Sequence, residues 1–337
     1  MIGTGSSGER RGGHMRAVRV REPGGSEVLE VVDTDAPVPG PGEVLVEVAA
    51  AGVNFIDTYQ REGIYPMPTP YVAGLEGAGR VTALGPDVDG VAVGDRIAWA
   101  NTLGSYAEQV AVPWAKAVPV PDGVADDVAV GAALQGMTAH FLVTDCFPLR
   151  GGETILLHAA AGGVGLLLTQ LAVAKGARVI ATTSTPEKAE LARGAGADEV
   201  IDYTAVDDLA AAVRDLTGGE GVHAAFDSVG RSTFDASLAS VRRRGTLVLY
   251  GAASGPVEPF DPQRLNAAGS LYLTRPKLFD YIATTDELRA RAAAVYGEVA
   301  AGRLDVRIGH RYGLADARTA HDDLQGRRTT GKVLLVP

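Results

Sequence analysis

The sequence predicts an α/β protein in which an all-β body leads into a doubly wound parallel sheet. Three observations predict it. Strand and helix patterns alternate from 154 to 250, short period-two segments with Gly/Pro corners fill 16–112, and a turn of tiny residues joins a strand to a helix at 159–165.

Residues 1–14 are rich in Gly, Ser and Arg and contain no apolar run. They end in Gly-Gly-His before a second methionine, so they read as a tag or leader with Met15 as the natural start. Val18 and Val20 then alternate with arginines, and Val44, Val46 and Val48 alternate with Leu45 and Glu47, the period of strands. Gly24, Gly25 and 37–42 mark turns. Further short strands are expected at 79–84, 95–98 and 106–112, separated by Gly85-Pro86, Gly94 and Gly104.

Near 126 the pattern becomes helical, with Asp126 expected to cap a run over 128–134 and helical spacing continuing over 136–142. Strands at 154–158, 177–183, 198–202, 223–227 and 245–250 then alternate with helices at 165–175, 186–195, 205–216 and 231–242. That alternation implies parallel strands joined by right-handed crossovers. Beyond Gly255-Pro256, 269–274 reads as an edge strand and 286–300 as an alanine-rich helix. A strand at 305–311, a helix at 315–324 and a strand at 332–336 close the chain. A tail this short cannot bury a core alone, so it is expected to return to the N-terminal β body.

A length of 337 residues makes two domains the default, and 46% hydrophobic with 21% charged residues is the balance of a soluble globular enzyme. The net charge of −10 argues against nucleic acid or an anionic membrane as partner, and no apolar run is long enough to span a bilayer. One cysteine, Cys146, leaves no intramolecular disulfide and no thiolate metal cluster, which fits a reducing cytoplasm.

In the turn after strand 154–158, Ala160, Gly162 and Gly165 stand at the three small-residue places of a dinucleotide loop, with Gly163 and Val164 between them. Such a string alone is also an ordinary tight turn. The preceding strand, the following helix and a second strand at βαβ spacing favour a pyrophosphate at the helix N-terminus. An NAD-selective site ends its second strand with an acid that holds the ribose hydroxyls. Here the strand ends Thr182-Thr183-Ser184-Thr185, with no acid. Ser184 can donate to a 2′-phosphate and Lys188 can add a positive charge, although Lys188 by itself reads as a solvated lysine beside Glu187 and Glu190.

Several ordered motifs together carry a resemblance: 54–59 (Asn-Phe-Ile-Asp-Thr-Tyr), 74–79 (Gly-Leu-Glu-Gly-Ala-Gly), 94–96, the 159–165 loop, 227–230 and 330–333. From Met15 to Pro337 the chain resembles the medium-chain dehydrogenase/reductase superfamily, and within it the NADPH-dependent, ζ-crystallin-like quinone oxidoreductases. The resemblance implies a GroES-like β domain interrupted by a Rossmann domain, a site in the cleft between them, and a homodimer joined partly through the Rossmann sheet. The chain is accordingly divided into a GroES-like substrate domain at 15–134, a Rossmann NADPH domain at 135–265, and a return segment at 266–337 that completes a dimer edge and the β domain.

Zinc-dependent relatives carry a cysteine near the place of Asn54 and a histidine where this chain has Leu75. The six histidines show no paired spacing, so the sequence reads as zinc-free. Without a Lewis acid, reduction of an electron-poor conjugated acceptor is favoured over alcohol oxidation.

The resemblance also supplies roles. Asn54, Tyr59 and Tyr65 face the nicotinamide: Asn54 offers a donor and an acceptor to a ribose hydroxyl or substrate carbonyl, and either Tyr59 or a water protonates the product. Phe55, Thr138, Ser228, Tyr250 and Gly251 match cofactor-contacting positions, Tyr203 packs the adenosine, and Arg275 and Arg327 lie close to cofactor phosphates or the cleft. Thr138 alone reads as a helix cap and the tyrosines as edge packing. His158 reads as strand-end packing, and Asp57 and Glu76 as structural acids. The expected activity is hydride transfer from NADPH to a quinone. The alternatives are a 2-enoyl or alkenal reductase and a non-catalytic, crystallin-like NADPH-binding protein.

Overall fold

The structure is a computed structural model and describes residues 13–337, so the expected leader lies outside the described residues except for Gly13 and His14. His14 is the first residue of the strand His14–Val20.

Three sheets organise the described residues. His14–Val20 lies between Leu29–Asp35 and Tyr71–Val72 in an antiparallel three-stranded sheet. The alternation at 44–48 belongs to the long strand Glu43–Val53, whose inward valines Val44 and Val46 are fully buried. This strand is central to a seven-stranded sheet, pairing with Glu76–Leu84, Gln109–Pro113 and the C-terminal strand Lys332–Val336. The register sets Val333 opposite Val53 and Gly52 opposite Glu76, which brings Lys332 beside Glu76 from opposite ends of the sequence.

The third sheet is parallel throughout, in the order Glu199–Asp202, Arg178–Thr183, Thr154–Leu157, Val222–Asp227, Val241–Leu249, Tyr272–Thr274. Numbered along the chain this is 3-2-1-4-5-6, the doubly wound order, and its ligand crevice opens at the strand C-termini where the order reverses. The sheet extends past residue 265, where sequence reasoning ends the unit, because Tyr272–Thr274 adds the sixth strand. Its buried strands are near-continuous apolar runs, as in Ile155, Leu156 and Leu157.

Several boundaries differ from expectation for local reasons. Asp126 is not a cap: Ala125 is, and the Asp126 carboxylate instead accepts from Arg96 Nε at 2.8 Å. The helical run 126–146 is continuous but contains two π-helical segments, Ala132–Gly136 and Leu142–Cys146. Thr138 therefore lies inside a helix, where its Oγ1 donates to the Leu134 carbonyl at 2.6 Å. The helix expected from 205 starts at Leu209, capped by Asp208, since Asp202 holds 203–204 in a turn. The helix expected from 231 starts at Phe234, because the Asp227 carboxylate gathers the N–H groups of Val229 and Gly230 and the Thr233 hydroxyl into a loop.

Candidate active site

A cavity of about 1130 Å³ runs along the C-terminal ends of the parallel strands, roofed by the helix Phe55–Arg61 and by residues 324–331. Except for Ala160, every candidate site residue named from the sequence lines it.

At its centre is the small-residue loop. The helix Gly163–Ala174 begins after Gly162, and no side chain caps it, so its first N–H groups face the cavity. A Cβ on Gly163 would collide with the Gln135 side chain. One on Gly165 would collide with the Ala159 carbonyl and come within 2.7 Å of Ala160 Cα. Gly165 is thus the point where helix meets strand, and Ala160 is the surface it rests on. Ala160 is fully buried beneath the loop and touches no ligand space, a correction to its expected cofactor contact. Gly331 pins the loop from the other sheet, its N–H donating to the Ala161 carbonyl at 2.9 Å. These features fit a dinucleotide pyrophosphate: N–H groups that no side chain caps, at a positive helix end.

At one end, Ser184, Lys188, Tyr203 and Arg327 converge. The Lys188 ammonium donates to the Arg327 carbonyl at 2.6 Å, and the Arg327 guanidinium donates to the Tyr203 hydroxyl at 3.3 Å. The buried Thr183 hydroxyl beside them has no partner among the described residues, a further donor at this wall. Two cations and no carboxylate of the strand end define this corner.

The other end is aromatic. Tyr59 is buried and stacks edge-on against Tyr65 with ring centroids 5.5 Å apart. Its hydroxyl accepts the Ala252 N–H at 3.1 Å and keeps its own proton to donate, and burial pushes the phenol up to about 12. Phe55 packs against Tyr59 on the same helix, at 6.2 Å between centroids. Tyr250, pushed well up by burial, lies with Ser228 and Gly251 on the facing strand ends. Arg275 donates to Tyr65 at 3.4 Å at the rim.

Asn54 departs from its expected role. Its Nδ2 donates to Glu76 Oε2 at 2.8 Å, and its Oδ1 accepts from Lys332 Nζ at 3.0 Å and Gln135 Nε2 at 3.2 Å. With both ends of the amide committed, it holds the cavity floor rather than offering free bonds to a ligand. Glu76 and Lys332 form a fully buried ion pair, and Glu76 Oε1 also accepts the Leu134 N–H at 2.6 Å within the first π-helical segment. Asp57 accepts the Asn54 N–H and the Tyr106 hydroxyl, and burial raises its carboxyl to about 7. Both acids are part of the support.

Sequence reasoning does not assign Lys332 or Gln135 to the site. Lys332 lies in a quoted motif, but its partner is 256 positions away. His158 is more than strand-end packing, since both ring nitrogens are bonded. Ser237 gives its proton to Asp227 at 2.7 Å, so His158 Nε2 donates to Ser237 and Nδ1 accepts from Thr182. Burial holds this imidazole neutral, and the chain fixes the floor between two strand ends.

Residues 40–122 match the family model described as alcohol dehydrogenase GroES-like domain, and residues 163–291 match the one described as zinc-binding dehydrogenase. A quinone oxidoreductase of Pseudomonas aeruginosa is 46% identical over 93% of this chain and 97% of its own length. A 2-haloacrylate reductase of Burkholderia is 37% identical over 95% of this chain and 98% of its own. A mycobacterial protein solved in complex with NADPH superposes with a TM-score of 0.93 at 52% identity, covering 96% of this chain and all of the other.

Proposed function

The chain belongs to the quinone oxidoreductase family of the medium-chain dehydrogenase/reductase superfamily, and on that premise we propose that it transfers hydride from NADPH to a quinone without zinc. One observation carries the reading: a single cavity joins two cations beside a strand end that carries no acid, a helix N-terminus that no side chain caps, and an aromatic end.

NADPH, when bound, supplies the hydride from its nicotinamide. Lys188, Ser184 and Arg327 hold a 2′-phosphate, Tyr203 packs the adenosine, and 162–165 receive the pyrophosphate. Phe55, Thr138, Ser228, Tyr250, Gly251 and the aromatic wall orient the reacting ring and exclude water, which is the main demand of hydride transfer to a conjugated acceptor. Tyr59 stays protonated through neutral pH, and either it or a water donates to the oxygen on which charge develops. The zinc-free reading rests on the donor set. Asn54 and Leu75 stand where metal-dependent relatives carry ligands, and the Asn54 amide oxygen is already taken by the Lys332 ammonium and the Gln135 amide.

Residues 15–134 supply the substrate side, 135–265 most of the cofactor side, and 266–337 the rest of both. The exposed edge strand Tyr272–Thr274, with Tyr272 65% exposed, supports a homodimer joined through the parallel sheet. Among the described residues no helix is long and apolar enough to cross a membrane. We place the enzyme in the cytoplasm on its acidity and single cysteine.

A reductase of conjugated carbonyl compounds is the second reading, supported by likeness to the 2-haloacrylate reductase. The test is loss of reduced-nicotinamide absorbance with 1,4-benzoquinone and with an enoyl thioester, using NADPH and NADH side by side. Faster turnover of quinone with NADPH is expected. Turnover of the enoyl compound alone selects the second reading, and NADPH binding without turnover overturns both.

A further inference from the structure

Beside the main cavity lies a smaller one of about 290 Å³, and the two share Tyr59, Tyr65, Gly251 and Arg275 in their walls. At about 30 Å³ per liquid water, it holds roughly ten non-hydrogen atoms, the size of a one- or two-ring acceptor. Its remaining walls are apolar: Ile64 from the β side, and Leu249, Pro256 and Val257 from the parallel-sheet side. At the junction of the two cavities stands Arg275.

Arg275 has no carboxylate partner within ion-pair distance among the described residues. Its bonds are to neutral acceptors, the Pro276 carbonyl at 3.2 Å and the Tyr65 hydroxyl at 3.4 Å, and the latter is at the long limit. Arg80, Arg214 and Arg318 likewise bond only carbonyls, while other arginines reach carboxylates. Arg16, Arg96, Arg291 and Arg303 each reach a carboxylate within 3.0 Å. The second cation cluster, Lys188 with Arg327, serves the opposite end of the main cavity. Arg275 is exposed at the rim, and a guanidinium bonded only to two neutral acceptors beside an apolar space can receive an anion there, its planar fork suiting a carboxylate or sulfonate.

We infer that Arg275 is a specificity-determining residue that binds the anionic substituent of the acceptor, the acceptor's ring lying against the apolar side cavity. The substrate class is then a conjugated carbonyl compound bearing a carboxylate or sulfonate. This rests on the hydride-transfer reading above. The acceptor takes a hydride from NADPH and a proton from Tyr59 or water, leaving NADP⁺ and the two-electron-reduced product, while the anionic group is unchanged.

The test compares kcat/KM for 1,2-naphthoquinone-4-sulfonate and for neutral 1,2-naphthoquinone in the parent, Arg275→Met and Arg275→Lys. The ratio of sulfonated to neutral acceptor should fall roughly 10- to 100-fold in Arg275→Met, as for a lost charged hydrogen bond, with partial recovery in Arg275→Lys. Equilibrium binding of naphthalene-2-sulfonate, which accepts no hydride, should weaken in the same order and reads the subsite independently of turnover. A ratio that stays within about threefold, or a raised KM for NADPH in place of a changed ratio, overturns the assignment. Turnover of neutral quinone by the parent enzyme separates failure of this inference from failure of the hydride-transfer reading.

Discussion

Replacing Lys332 by Met should destabilise the protein severely although it removes only one ammonium. The side chains of Lys332 and Glu76 are 1% and 0% exposed, so the remaining carboxylate has no water to solvate it. It keeps the donors Leu134 N–H and Asn54 Nδ2 but loses its counter-charge. Breaking a buried pair from one side costs about 3–5 kcal/mol, and the methionine stem retains most of the packing. At about 2–4 °C per kcal/mol for domains of this size, the thermal midpoint should drop by roughly 6–20 °C. The double variant Lys332→Met/Glu76→Gln removes both charges and leaves a neutral amide that still accepts from Leu134. It should recover to within about 2 kcal/mol of the parent. The assay is thermal unfolding of the four members of the cycle at neutral pH, followed by circular dichroism. A single variant within about 1 kcal/mol of the parent, or a double variant no better than the single, would refute the reasoning.

Lys188→Ala should raise the KM for NADPH roughly 10- to 100-fold while moving that for NADH less than about threefold, since the group proposed to meet this ammonium is the 2′-phosphate, which NADH lacks. Equal losses in steady-state kinetics would remove Lys188 from that role. Gly165→Ala should abolish NADPH binding by fluorescence titration, because its methyl would meet backbone that cannot yield. Gly163→Ala meets the movable Gln135 side chain instead and should be milder; the reverse order would contradict the loop packing. Asp57→Asn should flatten the pH dependence of stability. The folded carboxyl, near 7 against the usual 3.8, holds its proton more tightly than the unfolded chain. That contribution is complete below the unfolded value and is lost as pH rises through the folded one, about 3 kcal/mol between pH 5 and 8. Parallel urea profiles for parent and variant across that range would be inconsistent with it.

The parts legible in the sequence are those that short-range physics determines. Period-two valines locate Glu43–Val53, the alternation of apolar runs with helical spacing predicts the parallel sheet, and the loop at 159–165 announces itself because only tiny residues admit a phosphate to a helix end. The missing acid at 182–185 is equally local, and the structure adds Arg327 to that corner from 139 residues beyond Lys188. Boundaries were less legible where a side chain outbid the helix for backbone donors, as Asp202 and Asp227 do. Roles set by partners far along the chain had no local signal. Asn54 reads as a free donor and acceptor until Glu76, Gln135 and Lys332 are seen to occupy both ends of its amide. Arg275 is placed by resemblance only near phosphates or the cleft, and its position between two cavities has no local signal. Periodicity and turn chemistry act over a few residues, so the sequence by itself determined the elements and the loop chemistry. Burial and hydrogen-bond saturation depend on segments hundreds of positions apart, so only the tertiary structure decided which polar groups support the site and which remain open to a ligand.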